Sequence, residues 1–155
     1  MGIFDKVKSF AKKLTGGSAK VFVESDPMKF GEPFQVRIKA IVQDEGIQID
    51  RVYLNVVGLE EVRVHDTDVH HSHDGQTRSR SETIHRNHQT YVDEINVTGQ
   101  MNLAATMTYD WTAEVTIPES ALPIYLGRYA RHTYRIRAGL DMSGNDPDSG
   151  WVELK

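Results

Sequence analysis

His65, His70, His71, His73, His85 and His88 crowd one short stretch, beside Asp66, Asp68 and Asp74. Imidazole and carboxylate are good ligands for zinc, nickel or copper, so this spacing offers a metal site on His65, His70, His71 and His73. On an extended strand Asp66, Asp68 and His70 share one face, while His71 and His73 share the opposite one. The two tracts flank Asp74-Gly75, a strong two-residue hairpin signal. A two-residue turn there sets His70 against Ser79, His71 against Arg78, His85 against Val64 and His88 against Glu61. A three-residue loop instead pairs His65 with His85. In the first register no histidine faces another, and arginines stand among the would-be ligands. Residues 65–90 therefore read as a polar, histidine-rich hairpin or loop, with a divalent-metal site as the alternative. Histidine is the residue type suited to sensing mild acidification, so a pH-responsive segment is a further reading of the same residues.

A second group is cationic. Arg128, Arg131, Arg135 and Arg137 cluster, the last three on the wet side of one strand, and Arg37 and Lys39 mark the wet side of another. Were those strands neighbours, the patch would suit a phosphate or an acidic peptide. The plainer reading is a solvated face balanced by Asp110 and Glu114. Catalytic templates fail. Gly16-Gly17-Ser18-Ala19-Lys20 follows a helical pattern, whereas a phosphate loop opens one. Neither a G-x-S-x-G elbow nor an H-E-x-x-H pair is present. The expectation is a protein that is not an enzyme and needs no cofactor.

The elements that must carry these groups are a short helix and then strands. Ile3, Phe4, Val7, Phe10, Ala11 and Leu14 recur at spacings of three and four, which predicts an amphipathic helix over 1–15. Lys6, Lys8, Lys12 and Lys13 fall elsewhere on its wheel, and Gly16-Gly17 supplies the stop. Phe4, Val7, Phe10 and Leu14 could enter an anionic bilayer with Lys6 and Lys13 toward the headgroups, or cover a partner or the protein's own sheets. From residue 33 the period drops to two. In 33–43 Phe34, Val36, Ile38, Ala40 and Val42 alternate with polar residues, as do Met107 through Ile117 in 107–117 and Tyr134, Ile136, Ala138 and Leu140 in 132–140. These are strands with one wet face, the mark of antiparallel sheets. Weaker strand candidates are Lys20–Ser25, Ile47–Val57, Tyr91–Val97 and Trp151–Leu154. Between Ile49 and Val52 the apolar phase slips by one residue, predicting a bulge or bend. Short strands separated by turns such as Gly31-Glu32-Pro33 and Asp44-Glu45-Gly46 predict an all-β, immunoglobulin-like sandwich of two sheets.

The 155 residues, 39% apolar and 26% charged, suit one globular domain spanning 1–155. Cysteine is absent, which excludes disulfides and a thiolate nucleophile or ligand. No apolar run is long enough to span a bilayer, and lysines interrupt the N-terminal stretch, so a cytoplasmic protein is expected. Residues 1–20 are basic while the remainder is acidic, which argues against nucleic-acid binding by the whole chain.

Residues 115–142, VTIPESALPIYLGRYARHTYRIRAGLDM, resemble the closing part of an arrestin N-terminal domain: a strand, a Leu-Pro loop, then aromatic-x-apolar-x-Ala-x-Leu-Asp. Residues 49–64, IDRVYLNVVGLEEVRV, resemble the arrestin strand that ends in a Gly followed by an acidic and apolar run. The opening is similar to bacterial sporulation-control proteins of the arrestin-like group: a Lys-rich helix, a Gly pair, then AKVFVESD and FGEPFQVRI. The resemblance implies a β-sandwich that scaffolds or regulates inside the cell through protein contacts. Such relatives carry two sandwich domains, and a single-domain version is expected to self-associate as a homodimer.

Overall fold

The protein is described by a computed structural model over residues 17–155. The expected N-terminal helix, with Phe4, Lys6, Val7, Phe10, Lys13 and Leu14, lies outside the described residues. Ten strands follow: β1 Ala19–Ser25, β2 Phe34–Val42, β3 Ile47–Ile49, β4 Arg51–His71, β5 Thr77–Thr98, β6 Met101–Leu103, β7 Thr108–Val115, β8 Tyr125–Leu126, β9 Ala130–Asp141 and β10 Val152–Glu153. All pair antiparallel. They make a three-stranded sheet in the order β1-β2-β7, a five-stranded sheet in the order β10-β9-β4-β5 with β8 also on β9, and a small β3-β6 ladder.

Alternation becomes burial where the strands are central. Along β2 every residue of the predicted apolar set is buried and every residue between is half-buried. In β9 the row His132, Tyr134, Ile136, Ala138 and Leu140 is fully buried. Val36, Ile38 and Ala40 from one sheet join Leu54, Val56 and Ile136 from the other in one apolar cluster. The phase slip at Ile49–Val52 has a different cause from a bulge in one strand. β3 ends at Ile49, and after the bend at Asp50 the chain enters β4 in a different sheet, so it changes partners there. Ile49 and Val52 are nonetheless both buried, because each faces the shared core from its own ladder.

Two residues of β5, Val97 and Thr90, have no partner on β4, which marks irregularities opposite Val52/Tyr53 and Gly58/Leu59. The second allows Thr90 Oγ1 to meet His132 Nε2 at 2.6 Å. His132 Nδ1 lies 3.0 Å from the Pro123 carbonyl oxygen. A carbonyl only accepts, so Nδ1 carries the hydrogen and donates. Beside them Gly58 leaves room for a ring: a Cβ there would stand 2.7 Å from Thr90 Oγ1 and 2.9 Å from Tyr134 Cε1. Gly58→Ala should therefore cost about 1–3 kcal/mol by overpacking. The urea midpoint measures it, and an unchanged midpoint would show that the bulge yields freely.

The largest departure from expectation is the length of β4 and β5, 21 and 22 residues. β9 accompanies β4 only as far as Val62, opposite Ala130. Beyond that point the two strands run on as an isolated ribbon to the turn, exposed from Arg63 to His88. At about 3.4 Å per residue the ribbon projects roughly 30 Å from the sheet.

Candidate interaction surface

The ribbon carries all the clustered histidines. Its turn differs from the two-residue expectation by one position. Ser72 N–H donates to Gln76 O at 3.1 Å, so His73, Asp74 and Gly75 form the loop. Gly75 takes the positive φ, 75°, that closes a three-residue hairpin of this kind. That shift corrects every predicted pair: His70 faces Arg78, His71 faces Thr77, His85 faces Arg63, His88 faces Glu60, and His65 faces Thr83 rather than His85. His65 Nδ1 lies 3.3 Å from Thr83 Oγ1, and His71 Nδ1 lies 3.4 Å from Thr77 Oγ1. His73 stands in the turn. Among the described residues no three His, Asp or Glu side chains converge as metal ligands, so His65, His70, His71 and His73 are not brought together.

The predicted arginine cluster is also redistributed. β2 and β9 lie in different sheets, so Arg37 and Lys39 do not extend the arginine row. Arg37 Nη1 instead pairs with Asp26 at 2.7 Å, and Lys39 with Asp110 at 3.5 Å. Arg137 lies over the Trp151 ring, 4.7 Å from its centroid, and donates to Asn55 Oδ1 at 3.3 Å. Arg131 Nε and Arg135 Nη2 share one carboxylate oxygen of Glu61, at 2.6 and 3.2 Å. Arg128 sits apart from that pair, 5.3 Å over the Tyr129 ring.

A new grouping appears where the ribbon leaves the sheet. Alternation puts Glu61 and Arg63 of β4 on one face. Arg131 and His85 are their respective neighbours on the flanking strands. Arg63 N–H donates to Tyr129 O at 2.7 Å, which ties the 127–130 turn to the root of the ribbon. The result is a cleft of about 320 Å³ lined by Glu61, Arg63, His85, Arg128, Tyr129 and Arg131, among others. Three arginines and a single carboxylate line it. Among the described residues neither Arg63 nor Arg128 forms an ion pair. On the same outer face lies a second cleft, about 370 Å³, with Tyr53, Val57, Val92 and Trp151 in its walls. Val92 and Trp151 are 64% and 43% exposed, so two apolar side chains reach solvent there among charged neighbours such as Arg51, Glu94 and Arg137.

Glu61, which motif reading passed over, organises the cationic cleft. The Arg131 hydrogen bond, helped by the charges of Arg131, Arg135 and His85, holds its carboxyl below the ordinary 4.5 against the opposing effect of burial. A depressed folded value means the carboxylate stabilises the fold fully above its unfolded value, and that contribution is lost as pH falls through the folded one. Arg131 is half-exposed, so the pair is screened and Glu61→Gln should cost no more than about 1 kcal/mol at pH 7. The gap between wild type and variant should close on acidification below pH ~4. Urea midpoints at pH 7, 5 and 3 check this, and a gap that widens toward pH 3 would contradict it.

An all-β protein of antiparallel sheets with a projecting two-stranded ribbon is the class these observations define. No family model matches the chain, and no curated protein matches it by sequence. Its fold is similar to that of Spo0M, a sporulation control protein from Bacillus subtilis, with a TM-score of 0.58 and 17% identity. The match covers 89% of this chain and 49% of that one, so the chain spans about half the length of Spo0M. At that identity the likeness is one of fold alone. It meets the resemblance to arrestin-like sporulation-control proteins read from the opening with AKVFVESD and FGEPFQVRI, beside the arrestin likeness of 49–64 and 115–142.

Proposed function

We propose that this chain is a non-enzymatic intracellular scaffold or regulatory protein that works through protein contacts, without a cofactor. In this reading its sheets stack as an arrestin-like sandwich, whose inward rows share one apolar cluster. The observation that carries the proposal is the ribbon. Its side chains from Arg63 to His88 are exposed and add nothing to the core, yet it is built from the same two strands that flank the core. A long exposed pair of strands stabilises the fold little, and an isolated ribbon is marginal by itself. Such a feature suits recognition of a partner surface. The second cleft on the same outer face, where Trp151 reaches solvent beside Arg51 and Arg137, would extend the contact, since Trp and Arg are enriched at interfaces. Self-association into a homodimer belongs to the same reading, and sedimentation of the full chain measures it. The direct test is a comparison of proteins recovered from native extract by the full chain and by a chain with its ribbon shortened.

A further inference from the structure

Arg63 is where β4 loses its β9 neighbour. Its N–H points away from β5, to Tyr129 O. By alternation the N–H groups of His65, Thr67, Val69 and His71 point the same way. Among the described residues no strand pairs with β4 on that side beyond Val62. The ladder that β9 occupies is therefore vacant along the ribbon, an open edge of the kind a strand can extend.

Charge decides what could add there. The cleft at the start of this edge holds Arg63, Arg128 and Arg131 against Glu61 alone, with His85 beside Arg63. Side chains on that same face farther out are His65, Thr67, Val69 and His71, none of them acidic. The opposite face of β4 carries Asp66 and Asp68, countered across the ribbon by Arg80 opposite Asp68 and by Arg78 opposite His70, with Glu82 opposite Asp66. A strand lying on this edge meets the arginines on one face at its end nearest the sheet, no acidic group farther out on that face, and mixed charge on the other.

We infer that the vacant β4 edge takes an extended segment of a protein partner, its backbone paired to residues 65–71 and the carboxylate side chains at its end nearest the sheet set into the Arg63–Arg128–Arg131 cleft. Alternation follows from the chemistry: acids on the one face reach the arginines at the end of the segment nearest the sheet, and uncharged residues between them avoid Asp66 and Asp68. Arginine forks bind carboxylates in pairs of hydrogen bonds, and Arg63 and Arg128 have no carboxylate of their own among the described residues.

This inference rests on the protein-contact reading above, and its test separates the two. The probe is a labelled octapeptide of alternating Glu and Thr, titrated with the full chain and followed by fluorescence anisotropy. Its twin replaces Glu with Gln. Saturable binding is expected, weakened at least tenfold for the Gln twin and for the double variant Arg63→Gln, Arg128→Gln. Arg78→Gln, near the ribbon tip and outside the cleft, should change it less than twofold. Thr67→Pro removes one outward N–H at an open edge, where proline is tolerated, and should also weaken binding at least tenfold with the circular dichroism unchanged. Equal affinity for the Gln twin, undiminished binding by the double variant, or an equal loss in Arg78→Gln would overturn the inference. If the peptide does not bind while ribbon shortening still abolishes partner recovery, the inference falls and the broader reading stands. If shortening changes nothing, the broader reading falls with it.

Discussion

Tyr134→Ala is expected to lower stability by about 3–5 kcal/mol, the range for removing a large aromatic side chain from a core. Tyr134 is completely buried in the middle of β9. Its ring meets Phe30, Tyr91 and His132 edge-on, with centroids 5.6, 6.2 and 5.0 Å away. Its hydroxyl donates to Leu122 O at 2.6 Å, and burial pushes the phenol above its ordinary 10.0. Tyr134→Phe keeps the ring and leaves that carbonyl without its donor, so it should cost only about 1–2 kcal/mol. The comparison separates ring packing from the hydrogen bond. Because a domain of this size has about 5–15 kcal/mol in total, the alanine variant should show a broad loss of stability already in the urea baseline. Equal midpoints for the two variants would mean that the ring contributes nothing beyond its hydroxyl.

Shortening the ribbon should have the opposite signature. Replacing residues 66–82 with Asn-Gly joins His65 to Thr83, which are already directly opposite, through a two-residue turn that such a pair of strands accommodates. Everything removed is exposed. The apolar loss is confined to Val69, so the melting temperature should move by no more than a few degrees. Recovery of partners, by contrast, should fall to background. Arg63, Arg128 and Arg131 remain in this variant, so a partner held by the cleft alone would still be captured, whereas one that needs the ribbon edge would not. A large drop in melting temperature would instead make the ribbon part of the folding unit, and full partner recovery would remove it from the functional surface.

The strands of the core could be read because burial writes them into the sequence. Phe34 to Val42 and Tyr134 to Leu140 alternate since one side faces apolar neighbours and the other faces water, and each becomes a strand within about two residues of its predicted limits. At the sheet edge the same signal fades. Met107 continues the apolar row of β7 but is 53% exposed, while Ile117, past the end of the strand, is fully buried. His132 belongs to the buried row of β9 without being apolar, and only the nearby Thr90 and Pro123 make that placement affordable.

The ribbon could not be read in this way. Residues 63–88 have water on both faces, so they have no reason to alternate, and polar tracts with no periodicity look like loops. Their strand character comes from continuing a pairing that begins in the core at Val52 and Thr98. The hairpin register was a matter of one residue in the turn, decided by Gly75 in the third loop position, and that single step changed the partner of every histidine. The sequence alone determined which residues form the inner rows of the central strands, because solvent contrast acts locally on each strand. Which cations share a surface was settled only in three dimensions. Strand order put β2 and β9 in separate sheets, and the end of β9 at Ala130 brought Arg63 to Arg128 and Arg131, since pairing joins residues far apart in the chain and no local pattern encodes the neighbour across the ladder.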